Sequence, residues 1–166
     1  MKADVRRMIA VLLTTAMTAF ASPPAAAQEP LAWSSSASER GGPAEKAGLL
    51  LETVYAVLYF SCQGNGRDNL SLIFTGFDRN LAKDVLHTVA VSIDGTAFLF
   101  RTTAEVNEMD DDTSLSVSAP FETFRPLIEA MKAGNEAELS SPEGRGTISL
   151  EGSGRALAEL EAGCSP

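Results

Sequence analysis

The sequence predicts a β-rich α+β domain: an antiparallel meander or sandwich of about 7–9 strands, with two helices near the C-terminus. Three observations carry that reading. Short apolar runs, several with period-two alternation, recur between turns bearing Gly, Asn or Asp over residues 54–118. Asp94-Gly95 separates two such runs, and it suits the positive φ angles that a tight primed hairpin turn demands. The first convincing helical spacing after the N-terminal segment comes only at Phe121, Phe124, Leu127, Ile128 and Met131.

Residues 1–27 read as a signal peptide and stand outside the fold. Lys2, Arg6 and Arg7 make a positive start, residues 8–21 carry no charge, and small residues follow. Ala-x-Ala patterns allow cleavage after Ala21 or after Ala27, and Pro23-Pro24 just past the first favours the second. Fourteen uncharged residues fall short of the roughly 20 that a spanning helix needs. No transmembrane segment is therefore expected after cleavage. No cysteine lies near either site, which argues against a lipid-anchored start.

Residues 28–44 mix Ser, Gly and Pro around the single Trp33 and read as a flexible leader, with one short strand near Trp33 and a turn at Gly41-Gly42-Pro43. Residues 45–166 then form a single β-rich domain. Within it, 49–51 and 54–62 are strands with a bend at Glu52-Thr53, since Val, Tyr and Phe enrichment favours extended backbone. Gly64-Asn65-Gly66 is a turn, and 69–77 alternates well enough to pair back on 54–62 as a hairpin. A second hairpin spans 86–100 around Asp94-Gly95. Another strand, an acidic turn and a strand at 114–118 complete the meander.

The first helix starts near Glu122, with Lys132 complementing its C-terminal dipole and Gly134 as its stop. Pro126 fits if its missing N–H belongs to the opening turns. Strands at 136–140 and 146–150 flank a Pro142-Glu143-Gly144 turn. Ser153 is read as the cap of a last helix whose Leu157, Leu160 and Cys164 share one face.

Two cysteines in an exported chain make a Cys62–Cys164 disulfide the default. A reactive thiol would need a cation or a helix N-terminus nearby, and Cys164 sits at the opposite helix end. His87 is the only histidine and cannot alone build a histidine-rich metal site; a surface or packing role is expected. Glu105, Glu108, Asp110, Asp111 and Asp112 cluster, but without the spacing of a calcium loop, so a solvated loop is expected. The Ser153 segment lacks the G-x-S-x-G elbow of a serine hydrolase, and Asn69-Leu70-Ser71 is a glycosylation sequon that matters only in a eukaryotic setting. No catalytic residue, metal or cofactor is expected.

The chain carries a net charge of −9, which becomes −11 once the signal peptide's Lys2, Arg6, Arg7 and Asp4 are removed. Such a surface repels phosphate backbones and anionic headgroups, so nucleic acid is excluded as a partner and peripheral membrane binding is disfavoured.

The order of features, from Trp33 in a first strand and a strand ending in Cys62 to a late helix, resembles a group of small secreted proteobacterial proteins. Leu150, Gly152, Ser153, Ala156, Leu157, Leu160 and Cys164 carry the distinctive C-terminal pattern. In layout the chain is similar to periplasmic accessory proteins associated with type VI secretion, and more distantly to invasion-associated locus B proteins. The resemblance implies a β-rich periplasmic fold with a Cys62–Cys164 bridge and carries over no catalytic site. The expected function is an exported, non-enzymatic periplasmic module that binds a protein or envelope component. The alternatives are an inhibitor of a basic hydrolase such as lysozyme and, third, an enzyme using the acidic-loop carboxylates.

Overall fold

The computed structural model of the chain describes residues 31–37, 42–51, 54–63, 69–77, 81–107 and 112–164. The signal-peptide reading of 1–27, the cleavage sites, the bend at Glu52-Thr53, the Gly64-Asn65-Gly66 turn and the acidic Glu108, Asp110 and Asp111 lie outside these residues.

Nine antiparallel strands form one curled sheet, a half-barrel, and two helices follow near the C-terminus. In chain order the strands are β1 (Ala32–Ala37), β2 (Ala44–Leu51), β3 (Val54–Gln63), β4 (Asn69–Phe77), β5 (His87–Ile93), β6 (Thr96–Asn107) and β7 (Asp112–Pro120). Helix α1 (Phe121–Ala133), strands β8 (Glu136–Ser141) and β9 (Gly144–Ser149), and helix α2 (Ser153–Cys164) complete the chain. Across the sheet the order is β1-β2-β3-β4-β7-β6-β5-β8-β9, so β1 and β9 are its two edges.

Curling is built into β6. Its first half pairs with β5, from Ile93↔Thr96 to His87↔Thr102, and its second half pairs with β7, from Thr103↔Ser116 to Asn107↔Asp112. One long strand thus belongs to both walls. Alternation fixes which face turns inward: Thr102 and Ala104 are buried while Arg101, Thr103 and Glu105 are exposed. The Asp94-Gly95 turn has φ of 48° and 80°, the positive pair that a primed turn demands.

The segment read as a leader contributes more than a short strand. β1 pairs along its length with β2, and Trp33 is a core residue at 7% exposure. Its indole N–H donates to the Ser149 carbonyl at 2.9 Å, pinning one edge of the half-barrel to the other.

The helices fill the concave side. Phe124 of α1 is fully buried between the walls, 6.2 Å from the Phe60 ring on β3 and 6.0 Å from the Phe100 ring on β6. Truncating such a residue costs about 3–5 kcal/mol. Pro126 falls inside α1, past the opening turn, because the helix begins at Phe121 with Pro120 as its cap residue. It lies on the exposed face together with Glu122, whose carbonyl it leaves without a helical donor, so solvent can satisfy that group.

Ser153 is not the cap. It is the first residue of α2, and Gly152, at φ 86°, takes the preceding position, its carbonyl accepting from the Ala156 N–H. The buried Ser153 hydroxyl instead donates to the Met131 carbonyl at 2.7 Å. That bond satisfies one of the last carbonyls of α1 and ties the two helices together. Lys132 strengthens the same junction by donating to Glu161 at 2.8 Å and Glu129 at 3.0 Å. Those two bonds, Glu161 first, hold its ammonium above the ordinary lysine range.

Cys62 and Cys164 are disulfide-bonded, with Cα atoms 5.8 Å apart. The bond fastens the end of α2 to β3. Gly163 makes this approach possible: a Cβ there would stand 1.8 Å from the Ala44 carbonyl oxygen.

Candidate functional site

Of the described residues singled out from sequence, Cys62 and Cys164 come together and the others do not. His87 opens β5 and its Nε2–H donates to the Ala82 carbonyl at 2.8 Å, a loop-fastening role. Glu105 accepts from the Ser116 hydroxyl at 3.3 Å, and Asp112 accepts from the Thr113 N–H at 2.8 Å. Asn69 is exposed at the start of β4, while Ser71 is buried and shares a 2.5 Å hydrogen bond with Ser118. Among the described residues no group of three or more His, Cys, Asp or Glu side chains could hold a metal ion.

A cleft among the described residues lies elsewhere, at one end of the half-barrel, where two strand irregularities meet. β3 pairs with β4 only from Leu58↔Phe74 to Gln63↔Asn69, so the two strands part beyond Leu58. On β3 the register against β2 jumps from Gly48↔Tyr59 to Leu50↔Tyr55, and Val57 within the bulge has φ 66°. For a β-branched residue this left-handed backbone costs about 1–3 kcal/mol, so the surrounding structure must hold it there. On β4 the register against β7 shifts between Phe74 and Phe77, where Gly76 has φ 86°. Bulges of this kind bend a strand and end its pairing.

The result is a cleft of about 260 Å³. Val57, Phe74, Phe77, Val89 and Leu139 give it apolar walls, and Ser141, Glu143 and Arg145 of the β8–β9 hairpin stand at its rim. Arg145 and Glu138 form an exposed pair at 3.5 Å, worth little in water. Gly146 also lines the cleft, and no described neighbour requires it to be glycine. Its φ is not positive, and a Cβ placed on it would meet no atom within 4 Å. Glycine inside a strand sacrifices about 0.5–1 kcal/mol and commonly marks close approach by a ligand or another backbone.

Beside the cleft runs the open edge of β9. The Leu150 N–H donates to the Asn135 carbonyl at 2.9 Å, so Asn135 and Leu150 extend the β8–β9 register as a hydrogen-bonded pair. Antiparallel alternation then turns the N–H and C=O groups of Gly144, Gly146 and Ile148 towards β8, and those of Arg145, Thr147 and Ser149 away from it. The indole of Trp33 takes the Ser149 carbonyl, as this alternation requires.

Sequence reasoning missed this cleft because its walls read as ordinary core strands. Two signals were visible: Gly76 inside an alternating run and the Gly144-Arg145-Gly146 segment. The bulge at Val57 left no mark in the residue pattern.

No protein-family model, curated protein or solved structure matches the chain.

Proposed function

We propose that the chain is an exported, non-enzymatic module of the bacterial periplasm that binds a protein or cell-envelope component. The observation that carries this reading is the cleft of about 260 Å³ set beside an open strand edge, a combination of apolar pocket and free backbone that suits recognition. The signal-peptide pattern of residues 1–27 and the Cys62–Cys164 bond support an oxidising compartment. The resemblance to secretion-associated periplasmic proteins is in keeping with an accessory role in the envelope.

The test is capture. The domain lacking residues 1–27, immobilised and crosslinked in envelope extract, should enrich a partner that excess free domain competes away. Absence of any competed partner would sink the proposal. The acidic surface favours a second reading, inhibition of a basic hydrolase. Purified protein that leaves lysozyme activity untouched at low salt would remove that reading for lysozyme.

A further inference from the structure

We infer that β9 is a docking edge for an extended basic segment of a partner protein, which adds as a further strand and sinks one bulky apolar side chain into the cleft over Gly146. This rests on the binding-module reading and names the chemistry of its partner.

Three observations converge on it. The backbone groups of Arg145 and Thr147 point away from β8 along an edge that no described strand covers, apart from the Trp33 clamp at its far end. A strand added there lies about 4.8 Å away, and its residue opposite Gly146 points to the same inward face as Gly146 and Leu139. That face opens on the apolar walls formed by Val57, Phe74 and Phe77. Gly146 leaves the entrance clear, and no described residue comes within 4 Å of the place its side chain would take.

Charge selects the sign of the partner. The hairpin exposes Glu136, Glu138 and Glu143 against Arg145 alone, within a chain of net charge −9. On the outer face the added strand lies beside Arg145 and Thr147 of β9, with Glu138 one strand further across and already paired with Arg145. The net negative charge of the hairpin and of the chain therefore favours a strand bearing lysine or arginine over an acidic one.

The same geometry supplies the test. In Gly146→Val a side chain enters open space and fills the cleft, and β-branching suits a strand, so folding is preserved. In Thr147→Pro one outward N–H is deleted while the ladder to β8 stays intact, as proline allows on an edge. The probe is a fluorescein-labelled synthetic peptide with a central phenylalanine flanked on both sides by alternating threonine and lysine. Fluorescence anisotropy should show saturable binding that each variant weakens by roughly tenfold or more, with unchanged far-UV circular dichroism. A peptide N-methylated at its edge-facing amides, which leaves the protein untouched, should lose binding to the same degree.

No binding of the lysine peptide, equal binding by both variants, or equal binding of its glutamate counterpart would overturn the inference. So would a dimer that Thr147→Pro dissolves, because the edge would then serve a second copy of this chain. A partner captured from envelope extract and retained by both variants would refute the edge while leaving the binding-module reading intact. Peptide binding without any captured partner would do the reverse.

Discussion

Replacing Cys62 and Cys164 together by alanine should be among the most damaging changes available to this domain. The bond joins residues separated by 102 positions and fastens the last helix to β3. For a closed loop of this length the chain-entropy estimate is about 4.7 kcal/mol, an upper figure because a real denatured chain keeps some structure. Cys164 is fully buried and Cys62 packs against the same core, so two sulfurs' worth of contact is lost as well. A domain of this size has about 5–15 kcal/mol in total, so the double variant gives up between a third and nearly all of it. With a urea dependence of about 2 kcal/mol/M, the midpoint should fall by about 2 M. Equilibrium urea unfolding followed by circular dichroism measures this directly, with reduced wild-type protein as the matching control. A midpoint shift below about 0.5 M, or mass mapping that finds both thiols free in exported protein, would refute the clasp.

Three further outcomes follow from individual side chains. Gly163→Ala places a methyl 1.8 Å from the Ala44 carbonyl oxygen and should cost about 3 kcal/mol in urea unfolding; a neutral result would mean α2 does not sit this close to β2. The Thr113 hydroxyl is buried with no hydrogen-bond partner among the described residues, so the isosteric Thr113→Val should raise stability by about 1 kcal/mol, and a loss would reveal a partner. Burial, and secondarily the Glu105 carboxylate, push the Tyr59 phenol above its ordinary value. The fold therefore favours its neutral form, and the contribution is fully present below about pH 10 and lost as pH rises through the higher folded value. Tyr59→Phe should flatten that alkaline decline, and an unchanged decline would assign it to other groups.

What could be read from sequence was local or compositional. The Asp94-Gly95 hairpin, the pairing of 69–77 back on β3 and the apolar stripe of α1 each follow from a few neighbouring residues, and each is present. The disulfide followed from counting two cysteines in a chain whose N-terminus reads as an export signal. Contacts between distant segments had no such signature. Trp33 sits in a stretch whose Ser, Gly and Pro content suggests a loose leader, yet its bond to Ser149 spans 116 positions. Ser153 looked like a cap because capping depends only on near neighbours, whereas its actual acceptor, Met131, lies in the other helix. The cleft was hidden for a related reason. It exists where β3 and β4 stop pairing, and strand splay is decided by the whole curled sheet rather than by either strand alone.

The central claim is that recognition occurs at the β9 edge and the cleft beside it. Amide and methyl chemical-shift mapping of the isotopically labelled domain, titrated with the basic phenylalanine peptide or with a captured partner, tests it most directly. The expected perturbations fall on Arg145, Gly146 and Thr147 and on the methyls of Val57, Val89 and Leu139. Shifts confined to the exposed faces of α1 and α2, or no shifts at saturating ligand, would contradict it.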